Sequence, residues 1–206
     1  MGRPYRFNGD DFIEFIGWFV TEGSVTWRTH KETALVQIAQ KTASYRREIA
    51  ALFDRMEIPY SETDGGYQFS STVFGSLMEH LCGTESRTKH LPAFVWQLPP
   101  EQKRLLWQTL MDGDGDDRGV YSTASERLRE DVLRLGVELG LKPRYSHRGG
   151  IWRVSPKRVI DGFRGDRNVE FHATERDCYR LSVTDYSIVL AGRNGKFQWA
   201  SVSEVV

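Results

Sequence analysis

Cysteine and uninterrupted apolar sequence are what this chain has least of. Cys82 and Cys178 are the only cysteines among 206 residues, with no CxxC spacing. They read as reduced intracellular thiols, not as a disulfide framework or a metal clip. No window approaches the roughly 18 uninterrupted apolar residues of a membrane span. The opening stretch MGRPYRFNGDDF lacks the apolar centre of a secretory signal, and Arg6 stands where a myristoylation motif needs serine or threonine. An intracellular protein with no membrane partner is expected. Net charge is lacking too, since 28 Lys plus Arg balance 28 Asp plus Glu. That balance neither supports nor excludes a nucleic-acid partner, because binding depends on where charge lies. Here Arg144, Arg148, Arg153, Lys157, Arg158, Arg164 and Arg167 crowd one stretch against Asp161 and Asp166.

What the chain does have is repetition. FVTEGS (19–24) and LMDGDGD (110–116) each end an apolar segment on an acid followed by glycine. The first segment, NGDDFIEFIGWFVTEGS, carries a capping-box pattern at Asp11 and Glu14 and apolar residues at helical spacing. A hairpin over SVTWRTHKETALVQIAQK follows, then a helix from about 43 to 56, a second hairpin turning at Asp64-Gly65-Gly66, and the apolar helix TVFGSLMEHL. The second segment opens on PPEQKRLLWQTLMDGDGD, where proline suits a first helical turn. It continues through the short strand GVYSTAS, the helix ERLREDVLRLGVELGL and a hairpin turning at Gly149-Gly150. The expected fold is α+β: two pseudo-symmetric αββαββα-type repeats, the second with a clipped first hairpin. The units are placed at 1–97 and 98–165, followed by a strand-rich extension over 166–206.

A carboxylate at a helix C-terminus is unfavourable by a few tenths of a kcal/mol to about 1, and glycine inside a helix costs about 1 kcal/mol relative to alanine. Yet Glu22 and Asp114 close the two helices, and Gly17 and Thr109 sit at the same distance before them. A close approach of the two helices through Gly17 and Thr109 explains both features. Their ends then lie side by side, and Glu22 and Asp114 meet. Two such carboxylates repel unless one is protonated or a cation lies between them. Mg²⁺ suits one or two carboxylates plus waters and phosphate oxygens, which points to metal-assisted phosphodiester chemistry. A calcium loop starting at Asp112 is excluded, because Asp117 and Thr123 occupy the positions that need glycine and glutamate. His80, His90 and His172 make no zinc spacing.

FIGWFVTEG (15–23) and WQTLMDGDG (107–115) resemble the two signature motifs of the single-chain, two-motif LAGLIDADG homing endonucleases. The similarity runs from about residue 12 to 155. Both copies lack the opening Leu-Ala of the signature, Val20 replaces its internal acid in the first, and Thr109 replaces its small glycine in the second. VQIAQKT resembles the family's second strand, and TKHLP (88–92) the lysine-proline block of intein-type members. The resemblance implies a monomer whose motif helices form the central interface and whose curved antiparallel sheets make a DNA-binding saddle. It implies Mg²⁺, with Mn²⁺ able to substitute, held by Glu22 and Asp114, and hydrolysis of both strands of a long double-stranded target to leave 3′ overhangs. Gln40 and Lys89 take catalytic positions by the same resemblance, and Lys157 is the counterpart assigned to the second copy.

A strand lying in the major groove presents polar side chains on one face and buries the other. Ser24, Thr26, Arg28, His30, Gln37, Lys41 and Gln68 are the DNA-facing candidates of the first repeat. Tyr121, Thr123, Arg144, Ser146, Arg148 and Arg153 are those of the second, and the clipped hairpin there implies an asymmetric target. The tail resembles the closing strands of an intein splicing domain but ends SEVV, so splicing by this chain alone is not expected. A non-cleaving nucleic-acid binder on the same scaffold, an intron RNA maturase or a transcription factor, is the alternative.

Overall fold

A computed structural model describes residues 6–28, 33–156, 188–193 and 196–201. Helix α1 (Gly9–Glu22) starts one turn before the expected capping box. Asn8 is its cap, accepting from the Asp10 amide at 2.9 Å. Asp11 and Glu14 instead receive the two arms of Arg55, which ties α1 to α2 (Ala43–Arg55). Between them lie β1 (Gly23–Arg28) and β2 (Thr33–Ala39), and after them β3 (Ser61–Thr63), β4 (Gly66–Ser70) and α3 (Thr72–Cys82). This is the expected αββαββα order. The sheet runs β1-β2-β4-β3, antiparallel throughout. Its inner face closes over an aromatic core in which Phe15 meets Phe19, Phe53, Phe69 and Phe74.

A 3₁₀ turn (Ala93–Gln97) leads into the second repeat: α4 (Pro100–Asp114), β5 (Tyr121–Thr123), α5 (Glu126–Glu138), β6 (Arg144–Arg148) and β7 (Ile151–Ser155). Its sheet order is β5-β7-β6. Register shows what the clipping removed. Gly23 pairs with Ile38 in the first repeat, and Gly115 forms an isolated bridge with Tyr121 in the second. Ile38 in turn faces Tyr67 of β4, and Tyr121 faces Val154 of β7. Strand β5 therefore occupies the place of β2, and the counterpart of β1 is reduced to that one bridge. The second hairpin compensates. Arg153, opposite Ser122, stands where Gly66 stands opposite Ala39, but β6 and β7 continue pairing to Arg148–Ile151. Gly149 and Gly150, with φ of +61° and +77°, make the two-residue turn whose twist suits a hairpin. A further hairpin of β8 (Ile188–Arg193) and β9 (Lys196–Ser201) lays β9 against α5.

The two repeats join along α1 and α4, and the junction is reciprocal. A Cβ on Gly17 would lie 2.7 Å from Cβ and Cγ2 of Thr109, and one on Gly113 would collide with Oγ1 of Thr21. Thr109 is the counterpart of Gly17 in the repeat, and Gly113 that of Thr21. Each level of the crossing thus matches one glycine with one threonine, in opposite order. Leu106 and Leu110 are fully buried beside them.

Candidate active site

The crossing carries both helix ends to one place. Glu22 and Asp114 are the last residues of α1 and α4, and both line a cavity of about 590 Å³ with Lys89. The glycine after each acid is there for room, since Gly23 and Gly115 have extended backbones with φ of −85°. A Cβ on Gly23 would fall 2.5 Å from the Phe19 carbonyl, and one on Gly115 would collide in the same way with that of Met111. These carbonyls are the acceptors of the glycine amides. The chain therefore turns from helix into sheet directly behind each carboxylate.

Burial pushes the Asp114 carboxyl up to about 7, and the Glu22 charge adds to this; the Tyr121 hydroxyl and Lys89 oppose it more weakly. Burial also raises Glu22 above the ordinary carboxylate value. Lys89, only 4% exposed, is lowered to about 8 by burial, against the pull of Cys82 and Asp114. Its ammonium donates to the Phe19 carbonyl at 2.7 Å and stands 3.7 Å from the centre of the Phe19 ring. The Tyr121 hydroxyl is buried without a hydrogen bond of full geometry, and the groups it faces are Asp114 and Glu22.

Among the described residues, no group of three or more His, Cys, Asp or Glu converges on a metal position. The donor set is the two carboxylates. They fit a hard divalent cation: burial disfavours the charge of both and the Glu22 charge that of Asp114, only oxygen is offered, and the cavity has room for water ligands.

Register decides which sequence candidates share a face. Ser24, Gln37, Gln68 and Ser61 form one row across all four strands of the first sheet. Thr26 and Arg28, exposed, lie on the same side. In the second sheet Arg144, Ser146, Arg148 and Arg153 share the outer face with Ser122. Tyr121 and Thr123 do not join them. They are one residue out of phase, on the inner face, with Tyr121 fully buried and Thr123 7% exposed; a shift of one residue along a strand reverses the face. Tyr121 therefore packs beside the acids instead of facing solvent, while Thr123 lines the cavity. Gln40 does not line the cavity: it is buried, and its side-chain oxygen accepts from the amides of Lys41 and Thr42. Lys41 is exposed just beyond β2. His30 and Lys157 lie outside the described residues. Trp152 turns inward, its ring 4.1 Å from the buried guanidinium of Arg129. The cavity also has walls that sequence reasoning missed, Thr84, Ser86, Ser122 and Ile151. Strict alternation along β7 points to Ile151, two residues before Arg153, and Ser122 of β5 lies opposite Arg153; nothing local points to Thr84 and Ser86, which follow α3 in a loop.

No family model matches the chain. It is 26% identical over 170 residues to a subunit of the DNA gyrase of Mycobacterium gordonae, covering 66% of this chain and 31% of that protein. It is 24% identical over 160 residues to a DNA polymerase of Thermococcus hydrothermalis, covering 74% of this chain and 10% of that one. The chain thus spans a third or less of the length of these relatives. Among solved structures it shares the fold of I-DmoI. A variant of that protein, in complex with its target DNA nicked in the coding strand in the presence of 2 mM Mn, superposes with a TM-score of 0.52 at 15% identity, covering 72% of this chain and 88% of that one. A second variant, in complex with its target DNA in the presence of 2 mM Mg, gives 0.51 at 14%, covering 72% and 89%. No described helix is long and apolar enough to cross a membrane.

Proposed function

We propose that the chain is a site-specific double-stranded DNA endonuclease of the LAGLIDADG homing type. It hydrolyses both strands of a long asymmetric target with divalent metal ions and leaves 3′ overhangs. The observation that carries this reading is the convergence of two helix-terminal carboxylates and a buried lysine in one cavity that touches strands of both repeats' sheets.

Glu22 and Asp114 would hold Mg²⁺ or Mn²⁺. The ion, when bound, polarises a phosphoryl oxygen and makes its water acidic enough to attack at neutral pH. The chain does the rest. Lys89 holds positive charge where the phosphodiester gains negative charge, an interaction worth several kcal/mol in a water-poor site (about 3 for a single well-placed donor). Ser24, Thr84, Ser86 and Ser122 offer hydroxyls along the walls. On the first sheet, Gln37 and Gln68 suit bidentate pairing with adenine and Arg28 with guanine. The arginines of the second sheet suit phosphate contacts, which position a duplex without reading it.

The shared fold with a protein solved on its target DNA supports this reading. So does the recurrence of the matched stretch within proteins as unlike as a gyrase and a polymerase, as expected of a module that inserts itself into different hosts. The test is incubation with a randomised duplex library and Mg²⁺, followed by sequencing of the cut ends. Recurrent cuts with 3′ overhangs are expected. Retention of duplex without cutting would transfer the chain to the class of non-cleaving binders.

A further inference from the structure

Lys89 belongs by sequence to the first repeat, where its amide donates to the Glu85 carbonyl at 3.1 Å and the His90 amide to that of Cys82 at 2.9 Å, but its carbonyl is held by the second. Its carbonyl accepts from the Ser125 hydroxyl at 2.6 Å. Two residues on, the Leu91 amide donates to Oδ2 of Asp131 at 2.9 Å. Ser125 and Asp131 both belong to the α5 unit, as its cap and its second turn. Ser125 and Lys89 are 0% and 4% exposed, so their bond is shielded from water, while the Leu91–Asp131 bond is partly buried.

The Ser125 hydroxyl has two partners, because it also accepts from the Leu128 amide at 3.1 Å as the helix cap. Capping uses only its lone pairs; the proton is free to serve something else, and it goes to Lys89. The first repeat shows that the fold does not demand this. There Gln40 accepts from the Thr42 amide just as Thr123 accepts from that of Ser125, yet Thr42 caps α2 with no side-chain hydrogen bond. A shared hydroxyl linking the α5 cap to the lysine segment is therefore particular to this end of the cavity.

We propose that Ser125 is a positioning residue that sets where the Lys89 ammonium stands, with Asp131 pinning the far side of the same tripeptide. Lysine is a point charge on four flexible carbons, so its placement depends on a fixed main chain at one end and the Phe19 carbonyl at the other. The proposal rests on the nuclease reading for its consequence in rate, but not for the clamp itself.

Ser125→Thr and Ser125→Gly separate the two jobs, because threonine and glycine cap about equally and only threonine keeps a proton to donate. Ser125→Asp, which caps as well as serine and in its ionised form has none, repeats the comparison. The assays are single-turnover cutting of a duplex recovered from the randomised library, affinity for that duplex, and acylation of Lys89 by an amine-directed reagent read by peptide mass spectrometry. The Gly and Asp variants are expected to cut about 10- to 100-fold slower at unchanged affinity, the scale of a 1 Å misplacement. Lys89 in them acylates severalfold faster, and the Thr variant stays near wild type in both assays. Gly, Asp and Thr variants that cut and acylate alike, while Lys89→Met cuts slowly, overturn the proposal. A wild-type chain that cuts no duplex, with the acylation difference present, sinks the nuclease reading and leaves the clamp standing.

Discussion

Replacing Gly17 by alanine adds one methyl group at the tightest level of the α1–α4 crossing. That methyl carbon would lie 2.7 Å from Cβ and Cγ2 of Thr109, against about 3.5–4.0 Å for comfortable carbon contact. The helices must part by about 1 Å, or Thr109 must give way, and overpacking of this kind costs about 1–3 kcal/mol. Alanine recovers about 1 kcal/mol of helix propensity, so the net loss is about 0–2 kcal/mol. At this chain length that lowers the melting temperature by only a few degrees, at about 2–4 °C per kcal/mol. The rate responds far more, because the same parting carries Glu22 away from Asp114 one turn later. A misplacement of about 1 Å is worth about 100-fold in rate. Gly17→Ala is therefore expected to melt near wild type and cut about 100-fold slower. Adding Thr109→Gly exchanges the small and large partners and restores the room, so cutting returns. Thermal unfolding and single-turnover cleavage measure both quantities. A Gly17→Ala chain that cuts at the wild-type rate, or a double variant that stays slow, would refute the helix-crossing account of how the acids are placed.

Glu22→Gln and Asp114→Asn should each leave duplex affinity largely intact and abolish cutting; either variant cutting normally removes that residue from the site. Glu22 is one methylene longer than Asp114, and only Asp114 has Lys89 among the groups that set its ionisation; time-resolved nicking should show unequal rates for the two strands. The stability of the metal-free chain should depend on pH in two directions. The Asp114 carboxyl binds its proton more tightly when folded, so its share of stability falls as pH rises from about 4 to about 7. Lys89 binds its proton less tightly when folded, so its share rises from about 8 to about 10.5. Mg²⁺ should accordingly raise the melting temperature more at pH 8 than at pH 5, and an equal rise at both pH values would contradict the shared-cation site. Arg148→Ala and Arg153→Ala should each reduce the salt slope of duplex binding by about 1 with little change in sequence preference. Gln37→Ala should instead relax preference by about 1–3 kcal/mol at one base pair with little effect on the slope; a reversed pattern would exchange the roles of the two sheets.

Much of this architecture was legible because its signals are local. Apolar spacing identifies α1 and α4, Asp64-Gly65-Gly66 and Gly149-Gly150 mark the hairpin turns, and the acid-glycine endings disclose the duplication. The misplacements are of another kind. Asp11 and Glu14 read as a capping box, but a carboxylate that suits a helix start also suits an arginine on a neighbouring helix, and Arg55 of α2 claims both. Tyr121 and Thr123 face inward against expectation because β5 is only three residues long, too short for alternation to establish its phase. Gln40 suits catalysis by resemblance, yet its oxygen already serves two backbone amides.

The amino-acid order by itself determined that there are two like halves, that each begins with a helix ending in an acid and a glycine, and which strands carry polar side chains. Those properties depend on residues a few positions apart. Only the folded chain decided that Gly113 meets Thr21 as Gly17 meets Thr109, that the second half exchanges its first hairpin for a longer second one, and that Ser125 holds the segment of Lys89 across 36 residues of chain. Periodicity specifies which side of an element avoids water, but not which other element comes to cover it.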